Sequence, residues 1–182
     1  TTTLITGEGF RLLVDPSGED ADRMASELDR RSGLRASDVD AVFFTHEHGD
    51  HHAGLRHFPN AQWWAAPAVA AAVNRSHSYT REVTAAGQLI FDAIQVMHTP
   101  GHTATHHSLR FDCGGMSVVI AGDAVMTRDF WDARLGYFNS ADFELAARTI
   151  DDIAAVADIV VPGHDNYLIV SRAAGQQSRA GR

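Results

Sequence analysis

The stretch Thr45–His51 reads THEHGDH and follows directly on the apolar run Val39–Phe44. An apolar run of this length predicts a buried β-strand, and polar residues at its end predict a functional loop. His46 and His48 are two residues apart, so both project to the same side of an extended chain. Imidazole and carboxylate groups are the ligands that hold zinc, iron or manganese in catalytic sites. The spacing H-x-H-x-D-H therefore predicts a metal site in this loop.

Three further residues of the same ligand types follow later apolar runs. They are His102 in TPGHT after Ile94–Met97, Asp123 in AGD after Met116–Ala121, and His164 in VPGH after Ile159–Val161. Four such loops on one edge of a sheet would converge on a single pocket. Two cations held close together generate hydroxide at neutral pH and clamp the oxygens of a displacement reaction. The ligand count and spacing fit one dinuclear centre.

The rest of the chain alternates short apolar runs with helical patterns, which favours the α/β class. Further strands are expected at Leu4–Thr6, Phe10–Val14, Ala61–Ala65, Leu89–Phe91 and Ser108–Phe111, and helices at Ser17–Arg31, Pro67–Val73 and Asp142–Ala157. The stretch after Asp123 shows no clear period and contains Phe130, Trp131, Tyr137 and Phe138. Because loops after a ligand-bearing strand often line a pocket, some of these aromatic side chains are candidates for substrate contact.

Length, charge and cysteine usage limit the classes of function. The chain has 182 residues and a formal charge of -8, which fits one domain over residues 1–174 with a polar tail over 175–182. The basic residues are all arginine and are scattered, which disfavours a nucleic-acid or anionic-membrane surface. The single cysteine, Cys113, indicates a reducing, cytoplasmic location. No apolar run is long enough to span a bilayer.

Between Leu13-Val14-Asp15 and His164 the chain resembles the metallo-β-lactamase-fold hydrolase superfamily through five ordered motifs. The resemblance implies an αββα sandwich with the site at one edge of its two sheets. It also implies a set of residue roles: His46, His48 and His102 bind a first metal, Asp50, His51 and His164 bind a second, Asp123 bridges both, and Asp15 supports the metal loop. The chain begins at Thr1 rather than methionine, so an upstream segment that includes an N-terminal strand is expected to be missing.

Positions 123 and 126 indicate which branch of the superfamily the chain resembles most. Antibiotic-hydrolysing lactamases usually carry cysteine or serine where this chain has Asp123, and a bridging carboxylate is instead similar to the glyoxalase II, lactonase and nuclease branches. The best-known acyl-homoserine lactonases carry a tyrosine three residues after this aspartate, where this chain has Met126.

The expected activity is dinuclear metal-dependent hydrolysis, in which a metal-bound hydroxide attacks a small ester, thioester or lactone-type substrate. Zinc is the expected metal, with iron or manganese as alternatives, and Asp50 would orient the nucleophile or receive a proton. One rival hypothesis is a mononuclear iron persulfide dioxygenase that uses His46, His102 and Asp123. The other is a metal-dependent RNA endonuclease, which would need a basic path for the phosphate backbone.

Other histidines are expected to be solvated or hydrogen-bonded without a metal, namely His52, His57, His77, His98 and His107. His106 occupies the second histidine position of a G-H-T-x-x-H stretch, where a supporting contact to the ligands is expected. Trp63 and Trp64 are expected to pack in the core. Glu47 and Gly49 separate the ligands and receive no role.

Overall fold

A computed structural model describes residues 1–170, and its strands form two sheets. The first sheet contains, in spatial order, β1 (Thr3–Gly7), β2 (Phe10–Val14), β3 (Ala41–Phe44), β4 (Gln62–Ala65) and β5 (Thr84–Ala85). The second sheet contains β6 (Leu89–Ile90), β7 (Ile94–His98), β8 (His107–Cys113), β9 (Met116–Gly122), β10 (Ile159–Pro162) and β11 (Leu168–Ile169). The spatial order in the second sheet is β11-β10-β9-β8-β7-β6.

Strand direction places the loops that follow the strands. In the first sheet, β1 and β2 form an antiparallel hairpin, and β2 to β5 run parallel. In the second sheet, β6 to β9 are antiparallel neighbours, β10 runs parallel to β9, and β11 reverses again. Because β7, β9 and β10 share one direction, their carboxyl ends lie at the same edge of the second sheet.

Helices lie before and after these strands. They are α1 (Ala21–Ser32), α2 (Gly49–His52), α3 (Pro67–Arg75), α4 (Arg128–Ala133) and α5 (Phe143–Val156), with short 3₁₀ turns at Ala36–Asp38 and Ala53–His57. The Asp20 side chain accepts a hydrogen bond from the Arg23 backbone N–H, so α1 begins at Ala21 rather than at Ser17. It ends as expected at Gly33, whose φ of 69° lies in the left-handed region.

Three hydrophobic clusters separate four layers. Alternation along β3 sends Val42 and Phe44 toward α1 and α3, while Ala41 and Phe43 face the second sheet. On β9, Ile120 faces the first sheet, and Val119 packs with residues of α5. The three clusters therefore fill a helix–sheet, a sheet–sheet and a sheet–helix interface. This is the αββα sandwich, and the expected fold class is confirmed.

The ligand-bearing loops come from both sheets. The loop of His46 follows β3 in the first sheet, while those of His102, Asp123 and His164 follow strands of the second, so the loops lie at an edge of both sheets rather than of one. Convergence is still achieved, because the two sheets face each other across a shared core and their functional edges meet.

Several expectations lie outside what the structure tests. The polar tail 175–182 lies beyond the described residues, and the single domain over 1–174 stays a prediction. Within residues 1–170, no helix has the length and apolar character needed to cross a membrane. The cytoplasmic location also stays a prediction.

Candidate metal centre

The first ligand set consists of His46, His48 and His102, and its nitrogen atoms converge. His48 Nδ1 lies 3.0 Å from His46 Nε2 and 3.0 Å from His102 Nε2. His46 and His102 are buried, whereas His48 is exposed. Three ring nitrogens directed at one point, with one side open to solvent, match the donor number and the access of a catalytic site.

The second ligand set consists of Asp50, His51 and His164. Asp50 Oδ2 lies 3.8 Å from His51 Nε2 and 3.6 Å from His164 Nε2. His51 is buried in the short helix α2, while Asp50 and His164 are exposed. The set has the composition of a second cation site with open positions.

Asp123 lies between the two sets and presents one oxygen to each. Its Oδ2 lies 3.4 Å from His102 Nε2 and 3.9 Å from His46 Nε2. Its Oδ1 lies 3.2 Å from His51 Nε2 and 3.4 Å from His164 Nε2. The structure thus brings together all seven side chains that the sequence singled out, in the two groups that the resemblance implied.

Asp15 fixes the orientation of one ligand in each set. Its Oδ2 accepts hydrogen bonds from His51 Nδ1 at 2.9 Å and from the Thr45 hydroxyl at 3.0 Å. The Thr45 oxygen can then accept a hydrogen bond from the His46 Nδ1–H, 3.1 Å away. With Nδ1 protonated on both rings, the Nε2 atoms of His46 and His51 remain available as metal ligands. The supporting role expected for Asp15 agrees with this geometry.

The electrostatics of the centre suit cation binding. Burial and the neighbouring histidines lower the pKa of His46, which keeps its ring neutral. Burial also lowers the pKa of His51, but the carboxylates of Asp123 and Asp15 outweigh burial and raise it to about 10. Burial raises the pKa of Asp123, but His51, His164 and His102 outweigh burial and lower it to about 2. A cation bound beside His51 would replace its proton.

Unpartnered buried atoms provide a test of whether a metal fits these residues. His51 Nε2, His102 Nδ1 and Asp123 Oδ1 are buried without a hydrogen-bond partner. Leaving a buried polar atom unsatisfied costs about 1–3 kcal/mol. His51 Nε2 and Asp123 Oδ1 both face the second set, where a cation would satisfy them. The donor types of both sets fit divalent cations, and the orphaned atoms point to one beside the second set; the atom of His102 that faces the first set is Nε2 rather than the orphaned Nδ1.

The remaining histidines contact backbone oxygens or solvent. His52 Nε2, His57 Nε2, His98 Nε2 and His107 Nδ1 lie 2.7–3.2 Å from backbone carbonyl oxygens, and His77 is exposed. Among the described residues, none of these side chains belongs to the groups that could hold an ion. His106 is fully buried: its Nδ1 lies 2.8 Å from the Thr99 hydroxyl, and its ring packs 5.0 Å from that of His46.

Two residues at the centre carried no assigned role in the sequence. Glu47 Oε2 accepts hydrogen bonds from the hydroxyls of Thr105 at 2.7 Å and Thr103 at 3.4 Å, which joins the first metal loop to the loop of His102. Gly163 allows Asp123 to approach, because a Cβ at this position would lie 1.8 Å from Asp123 Oδ1. The spacing of a local motif does not reveal contacts between distant loops, so neither role was predicted.

The aromatic side chains singled out in the sequence divide into two groups. Trp131 is buried in the core on the outer side of the second sheet, as Trp63 is in the cluster beside α1 and α3. Phe130, Tyr137 and Phe138 instead form a contiguous cluster, with ring centroids 5.3 and 4.1 Å apart. Phe138 is 77% exposed. The chain that follows this aromatic cluster is tied to the first set, because the Ala141 N–H donates to the His102 carbonyl.

A cavity of about 780 Å³ lies elsewhere, between α1 and the N-terminal hairpin. It is lined by residues such as Leu4, Arg23 and Met24, and none of the converging histidines contributes to it. We assign the chemistry to the histidine cluster, since, within residues 1–170, none of the residue groups that could hold a metal ion lines this cavity.

Comparison with known proteins places this geometry in a family. A sequence model of the metallo-beta-lactamase superfamily matches residues 1–164. The chain is 30% identical over 173 residues to metallo-beta-lactamase domain-containing protein 1 of Xenopus laevis, with 90% of this chain and 70% of that protein covered. It is 27% identical over 176 residues to an N-acyl homoserine lactonase of a Bacillus species, with 89% and 70% covered.

Solved structures show the same fold. AidC, a dizinc quorum-quenching lactonase, superposes with a TM-score of 0.77 at 15% identity, and the match covers 96% of this chain and 76% of that chain. At this identity the likeness concerns the fold alone.

Proposed function

The chain belongs to the metallo-β-lactamase superfamily and is a metal-dependent hydrolase, and from that premise we propose that it uses two divalent cations to cleave a small ester, thioester or lactone. Zinc is the proposed metal, because three of its four ligand positions in catalytic sites are commonly imidazole or carboxylate groups. Iron and manganese accept the same donors.

One observation carries the dinuclear part of the proposal, namely the orientation of the Asp123 carboxylate. One of its oxygens faces His102 and the other faces His51, at 3.4 and 3.2 Å. A carboxylate shared in this way supplies an anion between two sites, which reduces the repulsion of two cations held close together. A single-cation site would need only one of these oxygens.

The proposed roles follow from position. When bound, the two cations would lower the pKa of a shared water and polarise the substrate carbonyl. His46, His48 and His102 would hold one cation, and Asp50, His51 and His164 the other. The Asp50 carboxylate is exposed beside His164, so it can orient a water molecule and accept its proton.

The chemistry of the surroundings favours a compact, partly apolar substrate. The aromatic cluster of Phe130, Tyr137 and Phe138 offers an exposed apolar surface on the segment tied to the His102 loop. The Bacillus relative named as an N-acyl homoserine lactonase supports a small acyl substrate. A charge of -8 and scattered arginines offer little attraction for a phosphate backbone. We therefore propose that nucleic acid is not a substrate.

The test begins with elemental analysis of protein purified without added metal. We expect two divalent cations per chain, because both ligand sets are complete. One iron per chain with oxygen uptake would instead favour the mononuclear dioxygenase. The same protein would then be assayed on chromogenic esters, thioesters, lactones and single-stranded RNA at low salt. Metal-dependent RNA cleavage without small-molecule turnover would contradict the proposed substrate class.

A matched pair of variants links the activity to the centre. His102→Ala removes a ligand of the first set and should abolish turnover. His98→Ala alters a histidine four residues away whose Nε2 contacts the Ala104 carbonyl, and it should leave turnover nearly unchanged. The opposite result would show that the ligand is placed wrongly.

A further inference from the structure

Glu47 connects the two loops that supply the first ligand set. Its Oε2 accepts hydrogen bonds from the hydroxyls of Thr105 and Thr103, at 2.7 and 3.4 Å. Glu47 and Thr105 are 58 residues apart in sequence, so this contact ties two distant loops together, in addition to the backbone bond from the His107 N–H to the Thr45 carbonyl. Glu47 lies between the ligands His46 and His48, and Thr103 directly follows the ligand His102.

His48 depends on such a contact more than its neighbours do. His46 and His102 are buried, so packing limits the rotation of their rings, but His48 is exposed. The Nδ1 atom of His48 faces the Nε2 atoms of His46 and His102. In the proposed site all three nitrogens would bind the same cation, so they would not hold one another in place by hydrogen bonds. The position of His48 is therefore set mainly by the backbone that carries it.

That backbone is held at Glu47 on two sides. The Glu47 carbonyl oxygen lies 3.2 Å from His52 Nε2, and the Glu47 carboxylate accepts from Thr105. On the opposite loop, the Gly101 N–H donates to the Thr103 carbonyl and closes a turn around His102. Loss of the Glu47 side chain would remove the tie beside His48 and Thr103, whereas the backbone bond from the His107 N–H to the Thr45 carbonyl, at the start of the first loop, would remain.

We propose that Glu47 is a positioning residue. Its hydrogen bonds to Thr103 and Thr105 increase the cation affinity of the first ligand set and do not affect the cation affinity of the second. The proposal rests on the dinuclear function proposed above. The second set is served by Asp15 through His51 and has no contact with the Glu47 carboxylate among the hydrogen bonds of residues 1–170. The effect should therefore be confined to one site.

Zinc affinity measured one site at a time tests this proposal. His164→Ala disables the second set, so this background reports the first site, and His48→Ala disables the first set and reports the second. Competition with a chromogenic chelator gives the zinc affinity in each background. Loss of a hydrogen-bond partner that supports metal ligands typically lowers affinity by about 10–100-fold. We expect Glu47→Ala to weaken the first site by about tenfold and to leave the second within about twofold.

Two further variants separate the hydrogen bond from the charge. Glu47→Gln keeps an oxygen acceptor for the threonine hydroxyls and should retain the affinity of its background. Glu8→Ala removes a charge in the β1–β2 turn and serves as a control. If Glu47→Gln is as weak as Glu47→Ala, or if Glu47→Ala weakens both sites equally or neither, the positioning role is wrong.

Thr105→Val keeps the proposal testable if Glu47→Ala does not fold. It removes the donor hydroxyl with little change in volume, so it should reproduce the loss of zinc affinity at the first site. Where Glu47→Ala does fold, the double variant Glu47→Ala/Thr105→Val should lose no more zinc affinity than either single variant. Full affinity in Thr105→Val would overturn the proposal. Wild-type protein that binds two zinc ions while the variants show no effect refutes only the role of Glu47. Wild-type protein that binds fewer than two refutes the dinuclear function.

Discussion

At the scale of single residues, the missing side chain of Gly163 matters as much as the carboxylate of Asp123. A Cβ at position 163 would lie 1.8 Å from Asp123 Oδ1 and 3.0 Å from the Gly122 carbonyl carbon. The Gly163 N–H also donates to the Gly122 carbonyl, at 2.9 Å, so the backbone is not free to move away. Any larger residue must displace the Asp123 carboxylate.

Gly163→Ala should therefore lower zinc affinity and turnover, by about tenfold or more, as expected when the support of a metal ligand is disturbed. Gly49→Ala is the matched control, because its Cβ would meet no atom within 4 Å although it lies in the first metal loop. Zinc competition and ester turnover measured on both variants provide the comparison. Equal behaviour of the two variants would show that the approach of Gly163 to Asp123 is unimportant.

The seven candidate ligands could be found in the sequence because each group directly follows an apolar run, and strand ends are where functional loops begin. The tie between Glu47 and Thr105 could not, because a hydrogen bond between residues 58 positions apart leaves no periodic signal. Asp15 could be recognised only through the family motif. Its φ of 51°, in the left-handed region, has no local signature in the sequence.

At the scale of elements, helix α5 supports the loop that carries His102. The Thr149 hydroxyl donates to the Pro100 carbonyl at 2.6 Å, and the Asp142 N–H donates to the Gly101 carbonyl. A Cβ at Gly101 would lie 2.4 Å from the backbone of Ala146, so the loop lies directly on the helix. The packing of α5 against residues 100 and 101 thus helps to fix the position of His102 relative to the second sheet.

Thr149→Val tests this support. The substitution conserves volume but leaves the Pro100 carbonyl without its donor, and an unsatisfied group of this kind costs about 1–3 kcal/mol. Thr149 is 3% exposed, so water cannot easily replace the hydroxyl. Urea unfolding of metal-free protein should show a lower free energy of unfolding, while the exposed control Thr80→Val should change it little. Unchanged stability in Thr149→Val would mean that this bond contributes nothing to the docking.

The longer elements were predictable, and of the shortest ones only β6 (Leu89–Ile90) was expected. The strands beside the metal loops and the helices α1, α3 and α5 follow clear apolar patterns. The helix α2 has four residues, and the strands β5 and β11 have two each, which is too short for any period to appear. The helix α4 lies in the stretch expected to be irregular. It was missed because its six residues form only about one and a half turns and include two adjacent aromatic side chains, which hide any helical period.

At the scale of the whole molecule, the proposed cations should contribute to stability as well as to catalysis. A ligand that binds only the folded state stabilises it by mass action, by about 2.7 kcal/mol at a concentration 100-fold above Kd. For a domain of this size, one kcal/mol corresponds to about 2–4 °C in the unfolding temperature. Removing both metals also leaves the formal charge of -8 uncompensated.

Chelation should therefore lower the unfolding temperature by about 5 °C or more, and added zinc should restore it. Differential scanning calorimetry with and without chelator measures the shift. His98→Ala should show the full shift, whereas His102→Ala should show a smaller one because it has lost part of one site. Identical unfolding temperatures with and without metal would contradict binding to the folded state.

Within residues 1–170 the chain passes from one sheet to the other once, between Ala85 and Leu89. Each ligand set nevertheless draws on both sides of this crossing: His46 and His48 join His102, and Asp50 and His51 join His164. Each proposed cation would therefore cross-link the two halves of the sandwich, because its ligands come from both. Sliding of one half over the other would break both coordination sets together, so mechanical integrity and catalytic competence would be lost in a single event.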